Sequence, residues 1–452
     1  MALLMLIAVI SCSGDSSAPT ATAHPTATET PLVNVTVEPT ATSTVAEPTA
    51  TAVGGSELSP ELAAFLLAVD EKMAKIRGTT VAPQVPFRFL DQAALNTWVR
   101  AQISDAETRE QIRQADGMYT LLGLMPADAD LYDEYAALLD AQVLGAYDPK
   151  VEEFVVLQAS GVFGPSEEFT YAHEYVHRLQ DALFGLDQMT DELKDNGDAS
   201  LAFTALVEGD ATTSQQIYAL QNLTPLQLAQ IFTEAQAGMS QTPAVPYVLQ
   251  RGLEFPYVEG ASFVDRLRIS NGTAAIDAAF NNPPDSTEQI LHPEKYFSRE
   301  LPVDVEVPGS VFGSGWTIVD NDVMGEFFLR TWMEALGADR TDASVAAAGW
   351  GGDMYRLATN EAGQYATALN IAWDTPQQDA AQFYVLLTTM MNASQDFARV
   401  EIGLDSGIMA FSNAGVVVII ANFGDAATGQ YTVVTAAPDV GTAMPLLLAM
   451  AG

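Results

Sequence analysis

The stretch Ser166-Glu167-Glu168-Phe169-Thr170-Tyr171-Ala172-His173-Glu174-Tyr175-Val176-His177-Arg178-Leu179-Gln180-Asp181-Ala182-Leu183-Phe184 holds no glycine or proline and ends against Gly185. It predicts a helix. Ser166 suits an N-cap, and Glu167 and Glu168 favour a first turn whose free N–H groups carry partial positive charge. Gly185 supplies the C-terminal stop. His173 and His177 are four residues apart, so both imidazoles project from one face and can reach a single cation about 2 Å from each nitrogen. Glu174 points about 100° round from His173, beside such a cation, where it can accept a proton from bound water without being a ligand. A zinc ion lowers the pKa of bound water to near 7 and polarises a carbonyl oxygen. His173 and His177 are therefore candidate Zn2+ ligands and Glu174 a candidate general base. The bland alternative is a surface helix with two unrelated histidines. Only four histidines occur in the chain (His24, His173, His177, His292), so this spacing is informative.

A zinc site of this kind needs a third protein ligand. Glu208 lies 31 residues after His177, in Val207-Glu208-Gly209-Asp210-Ala211 on a second predicted helix from about Asp198 to Leu220. It follows the apolar run Ala202 to Val207, where a carboxylate costs desolvation energy unless it is paired or coordinates a metal. Asp210 is the alternative. It projects about 200° away from Glu208, so a regular helix turns only one of them toward the metal, and Glu208 is favoured. A ligand imidazole also needs a partner for its second nitrogen; Asp210 and Asp181 are both candidates.

Around these helices the chain alternates in character. Ser59-Pro60 opens a helix through Lys75, and residues 91–145 read as two or three helices. Tyr147-Asp148-Pro149-Lys150 reads as a turn and Glu153-Phe154-Val155-Val156-Leu157 as a strand, able to line a cleft as an edge and pair with an extended peptide. Helices fill 225–280, and one is expected from about Trp316 to Ala338. From about Asp379 a helix over Ala380–Met391 precedes short strands at Val400–Ile402, Ile408–Phe411 and Val416–Ala421. The fold class expected is α+β.

The segment His173-Glu174-Tyr175-Val176-His177 with a glutamate on the next helix resembles the gluzincins, the thermolysin-like zinc metallopeptidases. Leu144-Gly145-Ala146-Tyr147-Asp148, Ser286-Thr287-Glu288-Gln289-Ile290-Leu291-His292-Pro293 and Gly349-Trp350-Gly351-Gly352-Asp353 add a resemblance to bacterial exported proteins built round such a site, over roughly residues 120–390. The resemblance implies a mostly helical zincin-like catalytic domain with a small edge-strand sheet, placed over residues 57–375, and the helix and short strands after about Asp379 read as a smaller α+β unit over 376–452. It implies zinc on His173, His177 and Glu208, Glu174 as general base, and a peptide or protein substrate. Around the third ligand, Glu208-Gly209-Asp210-Ala211 departs from the thermolysin pattern. Gluzincins use a distant His or Tyr to stabilise the oxyanion; His292 is the candidate here, with Tyr257 and Tyr296 competing and a plain loop histidine as the alternative. Gly349 to Asp353 is expected to form a tight turn packed on the catalytic half, with Trp350 or Asp353 as lesser candidates for binding.

The 452 residues carry 58 acidic and 19 basic side chains, a formal charge of −39. Such a balance argues against nucleic acid as a partner, since phosphate binding depends on Lys and Arg displacing counterions. A 48% hydrophobic content supplies a core nonetheless. Residues 1–11 are nearly all apolar, long enough for the h-region of an export signal and too short to span a bilayer. Val9-Ile10-Ser11-Cys12 reads as a lipoprotein cleavage site with Cys12 lipidated, an ordinary secretory signal being the alternative. The basic residue that usually opens a signal is missing, Lys72 being the first in the chain, and a true start upstream of Met1 would supply it. Residues 13–56 hold eleven Thr and five Pro, with Pro-Thr-Ala-Thr recurring from Pro19, Pro25, Pro39 and Pro48. They read as a disordered spacer containing a bystanding His24. The expectation is an exported protein at the cell surface, in contact with the membrane only through an N-terminal lipid.

Overall fold

The computed structural model describes residues 58–126, 128–157, 163–239, 244–403, 407–425 and 429–451; the expected signal, lipidation cysteine and spacer lie outside them. The fold is α+β. The first helix, α1 (Pro60–Arg77), starts where expected: the Ser59 hydroxyl accepts from the Leu62 N–H, and Gly78 closes the helix at φ +74°. The short strand β1 (Phe87–Leu90) precedes α2 (Gln92–Gln102), α3 (Ala106–Leu122) and α4 (Leu131–Gln142). Asp91, Asp105 and Asp130 cap these three helices by accepting backbone N–H groups of their first turns. Two strands follow, β2 (Gly145–Asp148) and β3 (Glu153–Leu157), with a turn between them in which the Asp148 carboxylate accepts from the Lys150 N–H.

The helix α5 (Pro165–Phe184) begins two residues earlier than predicted. Gly164 is its N-cap, Pro165 takes the first position, and the Glu167 carboxylate reaches back to the Gly164 N–H. Then come α6 (Leu186–Leu193), α7 (Gly197–Asn222), α8 (Pro225–Met239), α9 (Tyr247–Asn271), α10 (Thr273–Asn281), α11 (Thr287–Leu291) and α12 (Pro293–Ser298). The rest of the chain comprises β4 (Trp316–Asp322), α13 (Gly325–Ala335), α14 (Arg340–Ala347), β5 (Trp350–Asn360), β6 (Tyr365–Trp373), α15 (Pro376–Ala393), β7 (Ala398–Arg399), β8 (Ile408–Asn413), β9 (Val416–Asp425), β10 (Gly429–Ala437) and α16 (Val440–Met450).

Two sheets organise these elements. In the small one the order is β1-β3-β2, β1 pairing parallel and β2 antiparallel with β3. Strand β3 therefore has both edges occupied. The expectation that Glu153–Leu157 is a free edge fails, and β2 is the outer strand nearest α5, because the Gly145–Asp148 segment folds back along β3. The large sheet has seven strands in the order β4-β5-β6-β10-β9-β8-β7. It begins inside the stretch predicted as a helix over Trp316–Ala338: Trp316 to Asp322 pair with β5 instead, and helix starts only at Gly325. Val400–Ile402 is not a strand of its own. The strand there is the two-residue β7, after which the Val400 N–H still donates to the Ala410 carbonyl.

A boundary at residue 375 cuts through this sheet, since β6 on one side pairs with β10 on the other over six residues. One core also joins Leu95, Leu122 and Leu139 of the α2–α4 layer to Trp332, Trp350, Phe383 and Ile420. The sheet's other face packs on α16. Nor is Gly349–Asp353 a turn. Trp350 to Asp353 open β5, with a bulge between Trp350 and Gly352 against β6. Glycine serves close approach here: the Gly351 carbonyl accepts from the Val303 N–H, and a Cβ on Gly352 would strike Val303.

The site depends on one helix crossing. Helices α7 and α9 make the most extensive helix pairing in the molecule, meeting where Gly209 faces Gly260. A Cβ on Gly209 would collide with the Gly260 carbonyl, and one on Gly260 with the Ala205 carbonyl. Only glycine lets the two backbones come this close.

Candidate metal centre

Helix α5 divides its surface between two tasks. Tyr171, Ala172, Tyr175, Val176 and Leu179 bury themselves in a core shared with α1 and the small sheet. His173, His177 and Gln180 recur at four- and three-residue spacing on the side toward α7, where Glu208 stands. His173 Nε2 lies 3.1 Å and His177 Nε2 3.4 Å from Glu208 Oε2. The donor atoms of His173, His177 and Glu208 all fall within 4.8 Å of one another. Four tetrahedral donors each about 2.0–2.1 Å from zinc are separated by about 3.3 Å. The two measured separations match that spacing.

The electrostatics call for positive charge within the cluster. Burial opposes charge on the His177 ring, but the Glu208 carboxylate more than offsets it and holds the imidazole up to about 9. Burial likewise raises the Glu208 carboxyl, against which His177 and the hydrogen bonds of His173 and His177 bring it down to about 2. A buried anion thus faces two ring nitrogens, an arrangement that needs positive charge between them. It can be protons or a metal cation.

Glu174 lies beside this cluster and is 2% exposed. The Tyr147 N–H of β2 donates to its Oε2 at 2.8 Å, leaving Oε1 for another partner. Burial pushes its carboxyl up, against the pull of His177 and His173. A buried carboxylate with one oxygen anchored and a raised pKa is suited to accept a proton.

The remaining candidates separate. Asp210 is not in the cluster: its Oδ2 accepts from Arg77 Nε at 2.7 Å and from Gln180 Nε2 at 3.0 Å. Asp181 touches neither imidazole, accepting from the Tyr147 hydroxyl and the Leu186 N–H. The partner of the His177 second nitrogen is Gln180, whose Oε1 lies 2.9 Å from Nδ1. Sequence reasoning missed it although it sits three residues on, on the ligand face. His173 Nδ1 is buried with no hydrogen-bond partner among the described residues.

Of the three oxyanion candidates, Tyr257 of α9 is the one beside the ligands, its ring stacked on His173 at 6.1 Å between centroids and 29° between planes. His292 pairs instead with Glu326, Nε2 to Oε1 3.1 Å, at the start of α13. The Tyr296 hydroxyl donates to the Asn282 carbonyl and accepts from Arg299. Asp353 is a structural anchor. Its carboxylate accepts from the Met324 and Gly325 N–H groups and from Trp350 Nε1, all at 2.7–2.9 Å and all buried.

A family model described as a domain of unknown function (DUF8575) matches residues 316–444. That match covers the seven-stranded sheet and not the metal centre. No curated protein and no solved structure matches the chain.

Proposed function

We propose that the protein is a zinc-dependent peptidase. The reading rests on the convergence of His173, His177 and Glu208 within 4.8 Å, with both His–Glu208 separations at the donor spacing of a tetrahedral cation and the buried Glu174 carboxylate alongside. Those three side chains would hold the ion. Bound there, zinc supplies Lewis acidity toward a peptide carbonyl and toward water.

The chain's own groups then have defined tasks. Glu174, with Oε2 held by the Tyr147 N–H, takes the proton of the attacking water on Oε1 and passes it to the leaving amine. Tyr257, against His173, is the nearest candidate to hydrogen-bond the carbonyl oxygen as it gains charge, in the place sequence reasoning offered to His292. Strand β2, as the outer strand of the small sheet, is the edge on which an extended substrate would lie.

The proposal extends to location. The apolar N-terminal segment exports the chain, a lipid on Cys12 holds it at the cell surface, and its substrates are peptides or proteins outside the cytoplasm. Among the described residues no helix is long and apolar enough to cross a membrane. Labelling with a radioactive fatty acid, lost in Cys12→Ser, tests the anchor.

One observation favours a second reading. His173, His177 and Glu208 are 1%, 8% and 9% exposed, a burial that also suits a metal-binding surface protein without turnover. Glu174→Gln decides between the two. For a peptidase the variant keeps stoichiometric zinc and loses cleavage of a casein substrate by about 10²–10⁴-fold. Undiminished cleavage excludes Glu174 as the base, and zinc without any cleavage in the parent protein establishes the second reading. Absence of stoichiometric zinc after gentle purification rejects both.

A further inference from the structure

Behind His177 runs a buried polar chain that crosses four helices. His177 Nδ1 meets Gln180 Oε1 at 2.9 Å. Gln180 Nε2 donates to the Val207 carbonyl at 2.9 Å and to Asp210 Oδ2 at 3.0 Å. Asp210 accepts from Arg77 Nε of α1 at 2.7 Å, and Arg77 Nη1 continues to Asp277 of α10 at 2.8 Å. Gln180 and Asp210 are 0% exposed and Arg77 1%.

This chain has a direction. A side-chain amide has a donor end and an acceptor end, and its orientation follows from its neighbours. Two acceptors, the Val207 carbonyl and the Asp210 carboxylate, surround one end of Gln180, so its nitrogen must face them. The oxygen is then left to His177, and an oxygen can only accept. His177 Nδ1 must therefore carry a hydrogen, which in the neutral ring leaves Nε2 a bare lone pair aimed at Glu208 and the cation position. Arg77 in turn holds the Asp210 carboxylate in place through a buried ion pair.

We infer that Gln180 is a positioning residue which, oriented by Asp210 and Val207, fixes His177 in the tautomer that presents Nε2 to the metal. The inference deepens the zinc reading and rests on it for its functional meaning. The placement of the proton does not depend on that reading. Such outer partners orient a ligand ring and raise its basicity.

The test has a metal-free arm and a zinc arm. Long-range 1H–15N spectra of the metal-free protein, at a pH where the His177 imidazole is neutral, should show the proton on Nδ1. A proton on Nε2 overturns the inference whether or not the protein binds zinc. If zinc is absent while Nδ1 carries the proton, the peptidase reading fails and the tautomer assignment stands. In the zinc arm, Gln180→Met, which keeps the volume and removes the acceptor, should weaken zinc binding about 10–100-fold. Gln180→Glu alone sets two carboxylates face to face and should weaken it also. In metal-free Gln180→Met the His177 proton should shift from Nδ1 toward Nε2, which faces Glu208, and a tautomer unchanged by the substitution overturns the inference. Equal zinc affinity in the parent and Gln180→Met does the same.

Discussion

Gly209 and Gly260 meet backbone against backbone, and the residue before the first is the carboxylate Glu208, while three residues before the second stands Tyr257. Helices α7 and α9 thus bring Glu208 and Tyr257 to the imidazoles of α5 through a contact without side chains. Gly260→Ala should force the helices apart, because its Cβ meets the Ala205 backbone, which cannot rotate away. The expected cost is about 1–3 kcal/mol of stability, together with weaker zinc binding. Thermal melts and a zinc titration on the same variant check both.

Glu208→Ala should abolish stoichiometric zinc, since two imidazoles remain of a three-residue ligand set. Asp210→Asn should retain zinc, although more weakly, while losing stability because it leaves Arg77 buried beside a neutral partner. Metal analysis of the two purified variants makes the comparison. Zinc lost only from Asp210→Asn would place the third ligand on the wrong carboxylate.

Lowering the pH from 7.5 to 5 should stabilise this protein. Burial raises the Asp70 carboxyl to about 6, against hydrogen bonds from Tyr171 and Gln84, both uncharged. Burial also raises Asp198. A carboxyl with its folded pKa above the unfolded value binds its proton more tightly when folded, so its contribution is complete below pH of about 4 and lost as the pH rises through about 6. For Asp70 the loss is about 3 kcal/mol as an upper figure. Melting temperatures in metal-free buffer should fall between pH 5 and pH 7.5, and Asp70→Asn should flatten that slope. A melting temperature that rises over the same interval would show the buried carboxyls to be charged.

Asp353→Ala should destabilise the fold by about 2–4 kcal/mol, because two backbone N–H groups at the start of α13 and Trp350 Nε1 lose their acceptor inside the core. Its zinc content at low temperature should be unchanged. Denaturant melts and metal analysis check the pair of outcomes.

What the sequence made legible follows from the range of each interaction. The candidate ligands His173 and His177 share one turn of one helix, so their relation is fixed by helical geometry alone. Glu208 was recognisable as a carboxylate in apolar surroundings. Gln180 lay on the same face, but an uncharged amide gives no such signal. The partner that His292 takes, Glu326, is 34 residues distant, and no local pattern announces it. Strand β4 was hidden because Trp316 to Asp322 run into the amphipathic α13, so the two periods merge into one apparent helix. The glycines of Gly349–Asp353 permit a turn and a close strand approach equally well, and only β6 and Val303 decide between them. Long-range pairing is what local reading cannot supply.

The core shared by the α2–α4 layer and the large sheet separates what is inherited as a unit from what folds as one. The matched segment 316–444 is recognisable by itself, yet Trp332 Nε1 donates to the Leu122 carbonyl, and Met118 and Leu139 lie in the same core as Ile420. Excised, that segment would expose a broad apolar face to water. The α2–α4 layer and the sheet are therefore expected to melt together, so that a lesion deep in the sheet is felt as lost stability of both rather than as a change confined to the matched segment.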